Sequence, residues 1–145
     1  MDKPKVTGIG GIFFKCQDPD KTREWYAQHL GFKTDQYGSM FKWRQEENPA
    51  KTGYTQWSTF SADTKYMDPS EQPFMVNYRV NDLVGLLKNL KAEGIQIIGE
   101  LQEFDYGKFA HIMDPEGNKI ELWEPVDEVF DEYQAKQENA KKEEQ

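Results

Sequence analysis

Asp114-Pro115-Glu116-Gly117-Asn118-Lys119-Ile120-Glu121-Leu122-Trp123-Glu124-Pro125 first turns and then runs straight. Asp, Pro, Gly and Asn crowded into five positions predict a tight turn. Lys119–Trp123 predicts the strand that leaves it, and Lys108–Met113 the strand that enters it. Upstream lies a third strand candidate, Ile95–Ile98. Before that, Asn81-Asp82 opens a helix whose apolar face is Leu83, Leu86, Leu87 and Leu90, and Gly94 ends it. Phe74–Val80 reads as the strand that precedes this helix.

The same order stands in the first half of the chain. Ile9–Cys16 predicts a strand. Asp18 caps a helix that starts at Pro19, runs to about Leu30 and stops at Gly31. Strands follow over Ser39–Gln45 and Tyr54–Phe60, joined by a hairpin loop with Asn48-Pro49 and Gly53. Phe14–Asp18 matches Tyr78–Asp82 at an offset of 64, and Gln56-Trp57 matches Glu121-Leu122 at an offset of 65. Two modules that each expose an apolar sheet face are therefore expected to pair. Ser61–Pro73 between them is polar and reads as a linker.

Bulk composition narrows the function classes. The net charge is −8, and residues 126–145 hold seven acids and three lysines, half of that total. There is no basic stripe, so neither nucleic acid nor an anionic membrane is expected as a partner. The single cysteine, Cys16, excludes an internal disulfide and a thiolate metal cluster. Met1–Lys5 is charged and no apolar run approaches membrane-spanning length, so a cytoplasmic protein is expected. The tail begins with Val126, Val129, Phe130 and Tyr133 at helical spacing and is charged beyond Gln134. A short packed helix that frays is expected there, with no chemistry.

Phe14–Phe32, with Trp25-Tyr26 and Leu30-Gly31-Phe32, resembles the first helix of the glyoxalase/bleomycin-resistance/dioxygenase (vicinal oxygen chelate) superfamily. The DPEGN-x-IEL pattern at Asp114–Leu122 resembles that family's C-terminal signature. The resemblance implies an α+β fold over residues 1–125. Two paired βαβββ modules, 8–60 and 74–125, would wrap mixed sheets around a cleft, and a homodimer is expected. Four cleft positions hold the metal in metal-using members. By motif they fall at Gly11, Gln56, Met75 and Glu121. Glycine offers no ligand, and a methionine thioether is a poor one for hard or borderline divalent ions. Only Gln56 and Glu121 bring oxygen, against about three protein ligands at an ordinary catalytic metal. These four positions thus read as vestigial. No cofactor is expected, and a divalent metal is disfavoured.

The expectation for function is a small organic ligand held in the cleft between modules. Gln56, Glu121 and Arg44 are the polar anchors, and Gly11, Phe13, Tyr54, Met75, Asn77, His111 and Trp123 are further cleft residues. Glu121 is the candidate catalytic residue, a general base whose pKa is raised by aromatic surroundings such as Trp123. A second reading is a metal-dependent lyase, isomerase or dioxygenase in which His111 and Glu121 converge. A third is an antibiotic- or toxin-sequestering binding protein, whose acidic body favours a cationic drug.

Overall fold

The computed structural model describes residues 3–144, with side chains described through residue 137. The first module comprises β1 (Val6–Cys16), α1 (Pro19–Leu30), β2 (Thr34–Asp35), β3 (Gly38–Arg44) and β4 (Thr52–Ser61). The second comprises β5 (Phe74–Val80), α2 (Leu83–Ala92), β6 (Ile97–Phe104), β7 (Gly107–Met113) and β8 (Lys119–Pro125). A last helix, α3, spans Asp127–Glu144. The fold is α+β, with one mixed eight-stranded sheet in the order β2-β3-β4-β1-β5-β8-β7-β6.

Local chemistry sets the element ends. The Asp18 carboxylate accepts from the Lys21 amide at 3.1 Å, Pro19 occupies the first turn, and Gly31 closes α1 at φ 74°. Asp82 caps α2 in the same way through the Gly85 amide at 3.0 Å. In the turn before β8, Asp114 Oδ1 accepts from the amides of Glu116 and Asn118, at 2.9 and 2.8 Å. That turn fixes the register of β7 on β8, which sets His111 opposite Glu121.

The two modules join within one chain. β1 and β5 pair antiparallel at the centre, β1 pairs parallel with β4, and β5 parallel with β8. Both α1 and α2 lie on the same face. Tyr26 of α1 packs against Trp57 and Phe14, while Leu83 and Leu87 of α2 pack with Ala110 and Leu122. Those sheet residues have the opposite parity to Gln56 and Glu121, so the other face is left for the cleft.

Two segments close that cleft face. The stretch read as a linker, residues 61–73, folds back onto it: Met67 is fully buried against Phe13 and Met75. An inserted thioether fills the end of the cleft as a flexible gap-filler. At the opposite side α3 lies over the sheet. Phe130 packs against Tyr54, Trp123 and Tyr106 at ring separations of 5.6, 5.3 and 6.5 Å. The helix continues past Gln134 to Glu144, longer than the apolar spacing of its first turns foretells. No helix among the described residues is long and apolar enough to cross a membrane.

Candidate functional site

Sheet pairing lines up one row of residues across six strands: Met40, Gln56, Gly11, Asn77, Glu121 and His111. Gly11 with Gln56 and Asn77 with Glu121 are the equivalent parallel pairs of the two modules. The module-two partner of Gly11 is therefore Asn77, and the expectation of Met75 is corrected. The modules differ in length between this row and the helix cap: Gly11 to Asp18 is seven residues and Asn77 to Asp82 five, so an offset of 64 carried back from the caps lands two residues short. Met75 pairs with Phe13 further along the strands and is fully buried beside Met67, in the plugged end of the cleft.

Between Asn77 and His111 in the row stands Glu121, only 3 % exposed. Asn77 Nδ2 donates to its Oε1 at 2.6 Å, and His111 Nε2 lies 2.8 Å from its Oε2. The Tyr66 hydroxyl, carried in by the folded-back segment, donates to the same Oε2. Burial works to raise the Glu121 pKa, but the hydrogen bonds from His111, Tyr66 and Asn77 together outweigh it. The carboxyl is held below its usual value, which corrects the expectation of a raised general base. Burial, reinforced by the charge and hydrogen bond of Glu121, pushes the Tyr66 phenol well up. Lys119, on the same strand face, donates to the Tyr66 carbonyl at 2.7 Å, and burial lowers its pKa.

Gln56 does not reach Glu121. Its Nε2 donates to the Tyr37 carbonyl at 3.0 Å and to Ser58 Oγ at 3.1 Å. Gly10, the neighbour of Gly11, has its bare face against Asn77: a Cβ there would come within 2.2 Å of Asn77 Oδ1 and 2.9 Å of the Trp123 ring.

Beside this row opens a cavity of about 500 Å³. Phe13, Gln56, Asn77, Glu121 and Trp123 among the expected residues line it. Tyr106 and Phe109 of the second module and Val129, Phe130, Tyr133 and Gln134 of α3 complete it. Those α3 residues carried no site role in the sequence reading. The signal was present in the apolar spacing of Val126, Val129, Phe130 and Tyr133, which packs the helix over the ring of Trp123.

Five expected residues do not line the cavity: Gly11, beside Gly10 which does, Met75 in the plugged end, and Arg44, Tyr54 and His111. Arg44 is exposed at the far end of β3, opposite Thr52, away from the cavity. Tyr54 is buried under α3, where its hydroxyl donates to Asp131; burial, with that bond and charge, pushes its pKa up. His111 stands behind Glu121 rather than in the wall. The buried cation behind the Trp123 ring is Arg79, not Arg44. It lies between the rings of Trp43 and Trp123, at 5.2 and 5.6 Å, and binds both carboxylate oxygens of Asp127 at 2.8 and 2.7 Å. Arg79 thereby fixes the start of α3.

The donors around Glu121 bear on the metal that the fold family uses. Both its oxygens already accept hydrogen bonds from protein donors, and the Gln56 nitrogen is a donor turned to other oxygens. His111 Nε2 is spent on Glu121 itself. Among the described residues, no three His, Cys, Asp or Glu side chains converge in a way that could hold a metal ion. This donor set does not fit a divalent cation.

A continuous mixed sheet built from two βαβββ modules, with the C-terminal turn-and-strand signature in the second of them, defines a duplicated cleft protein. Residues 8–122 match the family model of the Glyoxalase/Bleomycin resistance protein/Dioxygenase superfamily, and the chain belongs to that superfamily. Solved structures with a similar fold include a Streptomyces coelicolor methylmalonyl-CoA epimerase variant in complex with 2-nitronate-propionyl-CoA. It aligns with TM-score 0.63 and 16 % identity over 84 % of this chain and 99 % of that one. Methylmalonyl-CoA epimerase from Mycobacterium tuberculosis aligns with TM-score 0.56 and 21 % identity over 86 % and 91 % of the two chains. A superfamily member from Vibrio splendidus 12B01 aligns with TM-score 0.50 and 12 % identity over 84 % and 99 %. At such identities the likeness is one of fold. A search of curated protein sequences found no match.

Proposed function

We propose that this chain binds a small organic molecule in the cavity between its modules, without a catalytic metal. The observation that carries the reading is the cavity itself: about 500 Å³, walled by aromatic rings, with the Glu121 carboxylate at its base. That volume and that pairing of apolar wall with few polar groups are what small-molecule sites ordinarily have. The part concerning metal rests on Glu121: a divalent ion would displace donors from Asn77, His111 and Tyr66 that already hold the carboxylate.

Two measurements test this. Titration with N-phenyl-1-naphthylamine, a neutral fluorescent aromatic, should give saturable energy transfer from tryptophan at one probe per chain. A linear, non-saturating signal overturns the cavity reading. Elemental analysis of protein purified without a histidine tag should find no stoichiometric zinc, nickel or iron. Tightly held metal that disappears in Glu121→Ala overturns the metal-free part.

A further inference from the structure

We propose that the ligand of this cavity is a cationic amine on an aromatic or apolar body, its ammonium directed at the Glu121 carboxylate. The inference rests on the cavity reading above and names the class of molecule that fits.

Charge comes first. The residues lining the cavity include two carboxylates, Glu121 at the base and Asp35 at the mouth, and among the described residues no lysine, arginine or histidine lines it. Cations nearby are committed elsewhere. Arg79 is paired with Asp127, and Lys119 reaches the Tyr66 carbonyl. Glu121 is held below its usual pKa after burial, working the other way, is outweighed by the donors on it.

Hydrogen bonding supplies a second, independent observation. Among the described residues, Asn77 Oδ1 is a buried side-chain oxygen with no hydrogen-bond partner, on a residue only 2 % exposed. Glu121 fixes its orientation: Asn77 Nδ2 must donate to the carboxylate, since the flipped amide would set oxygen against oxygen. Oδ1 is thereby turned toward the bare face of Gly10, which lines the cavity. A carboxylate offers about four acceptor positions and an amide oxygen two. Three on Glu121 are taken, two of them on Oε2, so Oε1 keeps one open, while Asn77 Oδ1 is closed off against Gly10 and adds unbalanced negative charge behind the wall. An ammonium group carries N–H donors and no acceptor, so it can fill the open position on Oε1 without adding an acceptor to a base already rich in them. Leaving buried acceptors unpaired is costly, so a donor-bearing ligand is favoured where an anion is penalised.

The walls suit the remainder of such a molecule. Phe13, Tyr106, Phe109, Trp123, Phe130 and Tyr133 present rings to the cavity. Ring faces attract cations and bury apolar bodies at the same time.

Calorimetric titration with a matched set separates the possibilities: 1-naphthylmethylamine, 1-naphthylmethanol and 1-naphthoate, alike in body and different in charge. The amine should bind at least tenfold tighter than the alcohol, and the naphthoate should give no binding heat. In Glu121→Gln the ratio of amine to alcohol affinity should fall toward one; if that variant does not fold, the wild-type ratio decides alone. An alcohol that binds as well as the amine, or a naphthoate that binds at all, overturns the amine assignment. So does silence from all three while N-phenyl-1-naphthylamine saturates, which leaves the cavity reading standing. Silence from all four overturns the cavity reading as well.

Discussion

Glu121 is the residue on which the interior depends. Its carboxylate satisfies three donors from three different segments, so it ties β5, β7 and the folded-back segment together. Removing one partner of a buried, hydrogen-bonded charge costs on the order of 3–5 kcal/mol. Glu121→Ala should lower the unfolding free energy by about that amount in urea titrations. The sign of the pH dependence follows from its depressed pKa. The folded protein binds this proton more weakly than the unfolded chain does, so the contribution is full above the unfolded carboxyl pKa. It drains away as pH falls through the folded value. Between about pH 5 and about pH 3 the melting temperature of the wild type should drop more steeply than that of Glu121→Gln. Equal slopes would show that the carboxylate is not held as described. Gly10→Ala tests the close approach beside it. The new methyl would meet Asn77 Oδ1 and Trp123, and overpacking of this kind costs about 1–3 kcal/mol.

Among the elements, α3 and the 61–73 segment decide the shape of the cavity. The α3 helix is held by Arg79 on Asp127, by Gln45 on Asp127 at 2.9 Å and by Tyr54 on Asp131. Asp127→Ala leaves the Arg79 charge between two indole rings without its carboxylate, at a cost of about 3 kcal/mol. Amide exchange over residues 127–134 should then accelerate while that of β5 and β8 stays slow. Uniform acceleration across the chain would mean that α3 is part of the folding core instead. In the other segment, Met67→Ala opens a void beside Phe13 and Met75 and should cost about 2–5 kcal/mol by urea titration. A change below about 1 kcal/mol would mean that the site collapses freely. The sequence read this segment as a linker because its composition is polar, and one methionine among polar residues carries no periodicity.

For the molecule as a whole, the cleft is complete in one chain, because β1 and β5 pair within it. The helix-bearing face is not complete. On the central strands between α1 and α2, Ile9, Ile12 and Phe74 are 47 %, 43 % and 40 % exposed. We propose that the homodimer expected from the family resemblance covers this strip. Sedimentation should find a dimer that Ile12→Glu converts to monomers, without loss of the cavity's ligand binding. A wild-type monomer at micromolar concentration would overturn the dimer.

The sequence by itself determined the duplicated module, the order of its elements and the presence of Glu121 and Gln56 at equivalent points, because turns, caps and apolar periodicity are local properties. It also determined that no histidine stands at any of the four cleft positions assigned by motif. Only the tertiary structure decided that Asn77 stands where Met75 was expected, since the two extra residues between Gly11 and its helix cap show only once strand pairing is known. Only the tertiary structure set Tyr66 and His111 on Glu121 and brought α3 over the cavity. Those contacts join residues far apart along the chain, and their partners are chosen by packing rather than by neighbouring sequence.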